Sequence, residues 1–318
     1  MQVVGLCRFS YPANINAFQT RHNNMAERKA ALYAADRLAA RTFLFENVLL
    51  PGVRSQTDPD FTLLLLMGED IPEPWRSRIV GAISDVPLIK PVFRPAGLVH
   101  RDLYRDLFLA ERDAAAGLVA EFRIDDDDAL AHDFVERLRK AEPLLASLVN
   151  DHGRAAIDFQ KGLLMDMRQG RIDYRPVVVP GWAPALAMIQ RAGAGKCVMD
   201  IMHHKMWLHM PTLTFQDSPM FLRGSHETND SQIKPVFRPA GLVHRDLYRD
   251  LFLAERDAAA GLVAEFRIDD DDALAHDFVE RLRKAEPLLA SLVNDYGRAA
   301  IDFQKGLLMD MGQGRANA

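Results

Sequence analysis

The chain has little cysteine: Cys7 and Cys197 are the only two in 318 residues. That is too few for a disulfide framework, and they lie too far apart for a metal knuckle. A reducing, cytoplasmic setting fits them. A basic excess is also missing, since 39 Lys and Arg stand against 44 Asp and Glu for a formal net charge of −5. Such a chain offers no basic field to a nucleic-acid backbone, which excludes nucleic acid as the expected partner. No apolar run approaches the ~18 residues of a membrane span, and Met1 to Cys7 carries neither the basic leader nor the apolar length of a signal peptide. What is present is a globular composition, 48% hydrophobic and 26% charged. It excludes disorder and collagen-like architecture and can fill one large core or two ordinary ones.

An internal duplication dominates the organisation. Ile89 to Arg171 returns as Ile233 to Arg315 at a constant offset of 144, with two differences over 83 positions: His152 against Tyr296 and Arg168 against Gly312. Solenoid repeats are shorter, diverge in sequence and need three or more copies. Two nearly identical long copies instead compete for one place in a sheet. The surplus copy is expected to fold incompletely, to displace the first, or to exchange between molecules into a swapped homo-oligomer. The expected division is a domain over 1–231 and a partial, non-catalytic repeat over 233–315.

Apolar periodicity predicts alternating elements. Val3 to Phe9 reads as a buried strand, Ala26 to Phe45 as a helix punctuated by Pro51-Gly52, and Phe61 to Met67 as a strand covered on both faces. Trp75 to Ile83 reads as a short helix, Val99 to Phe108 as one face of a helix ended by Gly117, and Leu118 to Ile124 as a strand. Leu130 to Leu148 continues as a helix with a kink or break at Pro143. Ala155 to Phe159 and Arg175 to Val179 are strand-like. This alternation predicts an α/β layer architecture with a largely parallel sheet.

The strand ending at Ile124 runs straight into Asp125-Asp126-Asp127-Asp128. Two carboxylates ~5 Å apart repel by about 0.8 kcal/mol in bulk water and roughly 3 kcal/mol at an effective dielectric of 20. A helix N-terminus returns only ~0.3–1 kcal/mol per carboxylate. The run therefore needs either full solvent exposure, as an ordinary acidic cap would have, or a cation. Its place at the carboxyl edge of a sheet, where open α/β folds bind ligands, favours the second. Oxygen-only ligands suit Mg²⁺ or Mn²⁺ bridged to substrate phosphates.

The segment FRIDDDDALAHDFVERLR, together with RFSY at Arg8 to Tyr11, SQTDPDFTLLLLMGEDIPEPW and RGSHETNDS at Arg223 to Ser231, resembles the rhamnosyltransferase family of bacterial glycosyltransferases over residues 1 to about 231. The resemblance implies a GT-A-like nucleotide-sugar-binding α/β fold with a mostly parallel central sheet. It also implies an Asp-x-Asp motif that holds Mn²⁺ or Mg²⁺ against a nucleotide-sugar diphosphate. On that likeness Asp125 and Asp127 take the two motif positions, Asp126 lies between them in the donor site, and His226 is the candidate third metal ligand. Arg8 and Ser10 fall where such folds place part of the nucleotide site, and Asp70 could accept a hydrogen bond from a uracil or thymine imide. Asp217 could be the general base that activates an acceptor hydroxyl, with Glu227 its competitor. The acceptor is a glycan or small molecule of unspecified kind. Arg8, Ser10 and Asp70 also have a plain reading as polar strand-end residues.

Two constellations are set aside. His203, His204 and His209 lack the i, i+4 spacing of helical ligands, which makes Met202, Met206, Trp207 and Met210 packing residues. Gly193-Ala194-Gly195-Lys196 lacks both the first glycine and the following Ser or Thr of a phosphate loop. The expected activity is metal-dependent sugar transfer. Two alternatives remain: an inactive nucleotide-sugar or cation-binding protein, and a metal-dependent phosphohydrolase.

Overall fold

The computed structural model describes residues 1–15, 23–168, 171–226, 229, 278–296, 308–310 and 315–317. The chain divides into two compact units, Met1–Pro235 and Val236–Ala318. In the first unit the elements in chain order are β1 (Gln2–Arg8), α1 (Met25–Leu32), α2 (Ala35–Leu44), α3 (Leu50–Arg54), β2 (Thr62–Gly68), α4 (Trp75–Ala82), β3 (Ile89–Arg94), α5 (His100–Glu111) and β4 (Leu118–Asp125). They continue with β5 (Ala129–Leu130), α6 (Phe134–Lys140), α7 (Glu142–His152), β6 (Arg154–Phe159), β7 (Lys161–Asp166), β8 (Asp173–Val178), β9 (Leu186–Arg191), β10 (Thr212–Phe215) and β11 (Phe221–Ser225). The second unit shows α8 (Phe278–Tyr296) and a short antiparallel pair, β12 (Leu308–Asp310) with β13 (Arg315–Asn317).

Among the described residues, seven strands form the main sheet in the order β10-β6-β9-β4-β1-β2-β3. β1 pairs in parallel with β2 and β4, β2 with β3, and β6 with β10, while β9 runs antiparallel between β4 and β6. This is the mixed α/β architecture with a mostly parallel sheet that the alternating pattern predicts. A smaller sheet, β5-β11-β7-β8, lies beside it. β1 and β2 are almost fully buried, as expected of strands with helices on both faces. α5 packs its Leu103, Tyr104, Leu107 and Phe108 onto Val4, Leu6, Leu64 and Leu66 of that sheet.

Four expectations need correction. The helix over 26–45 breaks at Tyr33–Ala34 into α1 and α2, and α2 then passes through a π-turn at Phe45–Leu49 into α3 instead of stopping at Pro51-Gly52. Pro51 lies inside this continuous helical run, where its missing N–H removes one helical bond directly after the π-turn. The helix at 99–108 ends at Glu111, before Gly117. The helix over 130–148 is three elements: Leu130 belongs to β5, and α6 stops at Ala141 so that α7 can start with Pro143 in its first turn. Met206 and Met210 are buried as expected, but Met202 and Trp207 are exposed. The sequence pattern also passes over β3, β7, β9, β10 and β11. β3 is an edge strand with Pro91 and little burial, and β9 is built from Leu, Ala and Met, which carry a helical preference that packing overrides.

Candidate functional site

The parallel strands β1, β2 and β4 deliver Arg8, Gly68 and Asp125 to one edge of the main sheet. The acidic run turns immediately after β4, with the Asp128 N–H donating to the Asp125 carbonyl at 3.2 Å. The chain then enters β5, which pairs antiparallel with the start of β11. The acids thus hang on a short bridge between the two sheets. β11 runs past them and brings Arg223, Gly224 and His226 alongside. Gly224 is required there: a Cβ at this position would fall 2.5 Å from the Asp127 carbonyl oxygen.

The four carboxylates have different surroundings. Asp125 is partly open to solvent, whereas Asp126, Asp127 and Asp128 are buried. Asp126 pairs with Arg41, a buried residue of α2. Asp127 Oδ1 accepts from Arg41 Nη2 at 3.2 Å, and its Oδ2 lies 3.1 Å from Arg41 Nη1. The same Oδ2 accepts from Asn229 Nδ2 at 2.7 Å and sits 2.7 Å from His226 Nε2. Asp128 accepts from the Gly224 N–H at 3.0 Å and from Arg223 Nη1 at 3.1 Å, and the Arg223 guanidinium lies 5.4 Å from the Trp182 ring centre.

Burial alone would raise the Asp127 carboxyl, but Arg41 and His226 overcome it and hold that group well below the ordinary carboxylate range. Burial wins at Asp128, which is pushed well up, with Asp127 and Asp125 adding to the effect and Arg223 opposing it. Neighbouring acids are thus driven in opposite directions, Asp127 down and Asp128 up.

One ligand atom each from Asp125, Asp127 and Asp128 lie within 4.8 Å of one another. No other such group of acids, histidines and cysteines occurs among the described residues, and His203, His204 and His209 belong to none. His203 is instead a half-buried residue whose Nδ1 lies 2.5 Å from the Gly181 carbonyl; desolvation, helped by Arg123, pushes its ring down to about 4.

The other predicted residues follow the ends of β1, β2 and β10. Ser10, just past β1, has a positive φ of 45° and accepts from Arg37 Nη1 at 2.9 Å. Asp70, two residues past β2, pairs with Lys29 and accepts from the Tyr33 hydroxyl at 3.0 Å. Burial would raise the Asp70 carboxyl, but these two partners lower it. Asp217, two residues past β10, forms a two-pronged pair with Arg137 Nη2 at 2.8 and 2.6 Å. Glu227 and the repeated acids Asp269 to Asp272 lie outside the described residues.

The structure adds Arg41, Asn229 and Arg223 to the residues that the sequence suggested. A signal for Arg41 existed: it sits among Leu38, Thr42 and Phe45 on the buried stripe of an amphipathic helix, where a lone cation needs an anion. Asn229 lay within the HETND segment.

An α/β protein with a carboxylate centre at the edge of a mostly parallel sheet is the class that these observations define. A family model described as "Putative rhamnosyl transferase" matches residues 2–238 and, again, 231–317. The chain belongs to that family. Among solved structures, it is similar to S. aureus TarS 1–349, at 13% identity and a TM-score of 0.38, covering 70% of this chain and 60% of that one. It is likewise similar to the same TarS fragment in complex with UDP-GlcNAc, at 11% identity and a TM-score of 0.38, covering 73% and 62%. The chain therefore spans about three fifths of that fragment. No curated protein matches.

Proposed function

We propose that residues 1–231 form a GT-A-like, metal-dependent glycosyltransferase domain that moves a sugar, rhamnose on the family's description, from a nucleoside diphosphate to an acceptor hydroxyl. The observation that carries this reading is the convergence of Asp125, Asp127 and Asp128 from the main sheet with His226 and Asn229 beyond β11. The Asp127 Oδ2 and His226 Nε2 atoms lie 2.7 Å apart. Both carry lone pairs suited to a hard or borderline divalent ion such as Mn²⁺ or Mg²⁺, so the residues present fit one. Such an ion would neutralise charge on the departing diphosphate.

In this reading Asp127, kept ionised by its surroundings, is the principal ligand, with Asp125 and His226 beside it. Asp126, with no exposed surface, acts on the donor site through Arg41 rather than by touching the nucleotide. Arg8, Ser10 and Asp70 border the nucleotide, with Ser10 oriented by Arg37 and Asp70 by Tyr33 and Lys29. Asp217 and Glu227 are the two candidates for the base that takes the acceptor proton. Both carboxylate oxygens of Asp217 are engaged by Arg137, which leaves room for Glu227. The unit from Val236 onward is taken as non-catalytic, because it repeats neither the RFSY strand nor the HETND segment. Among the described residues no helix is long and apolar enough to cross a membrane. The two buried free thiols suit the cytoplasm.

The test is release of nucleoside diphosphate from a panel of UDP- and dTDP-sugars with Mn²⁺, then with EDTA. Turnover that EDTA abolishes supports the reading. Binding without turnover would make the protein a nucleotide-sugar binder, and release of inorganic phosphate from simple esters would make it a phosphohydrolase.

A further inference from the structure

Arg41 is a buried cation on α2. Its guanidinium reaches from the buried side of α2 into the acidic run, pairs with Asp126, and contacts both oxygens of Asp127, at 3.2 Å from Oδ1 and 3.1 Å from Oδ2. Its Nη1 also lies 3.1 Å from His226 Nε2, the atom that sits 2.7 Å from Asp127 Oδ2.

These three contacts make inconsistent demands on one proton. If His226 Nε2 carries a hydrogen, it donates to Asp127 but presents that hydrogen to an Arg41 N–H. If Nε2 is bare, it accepts from Arg41 but turns a lone pair toward a carboxylate. Lone pairs on Nε2 and Oδ2 that both point at one positive centre would relieve the conflict, and Arg41 Nη1, 3.1 Å from each, takes part of that place. Asn229 adds a further donor to Asp127 Oδ2 at 2.7 Å, so the carboxylate is fully engaged before any metal arrives.

We infer that Arg41 is a built-in counter-cation that competes with the divalent ion for Asp127 and His226, and leaves them when the ion enters. The inference rests on the metal-dependent reading above. It assigns α2 a task in loading the site: the guanidinium keeps two buried acids, Asp126 and Asp127, tolerable before the ion enters and, once displaced, becomes a free cation beside the incoming diphosphate. A guanidinium suits this exchange because it is planar, always charged and weakly hydrated, so it can pair with two carboxylates without sealing the site irreversibly.

The test uses the full chain and Mn²⁺ alone, with affinity measured by calorimetry. Arg41→Gln should bind Mn²⁺ at least about tenfold more tightly than wild type, because a competing charge within ~3 Å is gone. Arg41→Lys should fall between the two, and Asp127→Asn should bind least. A purely structural arginine would show unchanged or weaker binding in Arg41→Gln, and that result overturns the inference, as does failure of Mn²⁺ to bind wild type and variants alike. Should Arg41→Gln fail to fold, wild-type protein treated with phenylglyoxal and mapped by mass spectrometry still decides the matter. Arg41 modification should at least double when Mn²⁺ is added, whereas no change or protection refutes displacement. Nucleotide release from the donor panel, measured on the same samples, separates the two readings: turnover with negative Arg41 results sinks only this inference.

Discussion

Phe134–His152 and Phe278–Tyr296 are identical except for their last residue, yet they differ in structure. In the first copy the segment is two helices, α6 and α7, that meet at Ala141, with Phe134, Val135, Leu138, Ala141, Leu145 and Val149 all buried. In the second it is one continuous helix of 19 residues with Pro287 in its interior, and Leu292 is buried while Val279 is 48% exposed. The local ion pair recurs, Glu136 with Lys140 and Glu280 with Lys284. The first copy also has anchors distant in sequence. Arg137 is gripped by Asp217, and Arg139 by Asp58 at 2.6 Å and by the Met1 carbonyl at 2.6 Å. All of those partners lie outside the duplicated stretch. The difference teaches that the break at Ala141 is not set by local sequence, because the same residues run on as one helix in the repeat.

The comparison can be broken most sharply at the acidic run. Asp127→Ala should lower nucleotide release from the donor by about 10²-fold or more, as loss of an electrostatic stabiliser does, while Asp271→Ala in the repeat should leave the rate unchanged. Equal losses would show that both copies work. In the helices, Leu138→Ala should cost about 2–5 kcal/mol by urea denaturation, since Leu138 has no exposed surface. Leu282→Ala, at the matching and only partly buried position, should cost well under that. Proline provides the next contrast. Pro287→Ala should stabilise its helix by up to ~3 kcal/mol, seen as slower amide exchange around residue 283, because the ring removes an interior helical bond. Pro143→Ala, in the first turn of α7, should change exchange little.

The smallest effect concerns pH. Burial raises the Asp158 carboxyl to about 6, against hydrogen bonds from Gln160 and the Gly181 N–H. A folded-state value above the unfolded one means that the folded state holds its proton longer. Stability from this group is therefore greatest below the unfolded value and falls as pH rises toward about 6. Asp158→Asn should flatten that fall and raise stability at pH 7, by an upper bound of about 3 kcal/mol for a shift of roughly two units. Asp302→Asn should leave the pH profile unaltered. A wild-type profile that is flat between pH 4 and 6 would remove the basis for this prediction.

Legibility followed the strength of local signals. Val3 to Phe9, Phe61 to Met67 and Leu118 to Ile124 were readable because strands buried on both faces are nearly continuous apolar runs. β9 was not, because Leu186-Ala187-Met188-Ile189 suits a helix equally well until β4 and β6 close on either side of it. The acidic run and His226 stood out as charge concentrated at a strand end and as a histidine in a polar loop. Arg41 did not, since a basic residue in an amphipathic helix is ordinary until its face is known to be buried.

Residue order alone determined the alternation of strands and helices, the duplicated segment, and the crowding of four carboxylates after β4, because each is set by composition or by short-range preference. Only the tertiary structure decided which of those carboxylates is buried, which cation meets it, and whether Phe-Val-Glu-Arg-Leu-Arg-Lys begins one helix or two. Those outcomes depend on desolvation and on partners distant in sequence, and no local pattern encodes either.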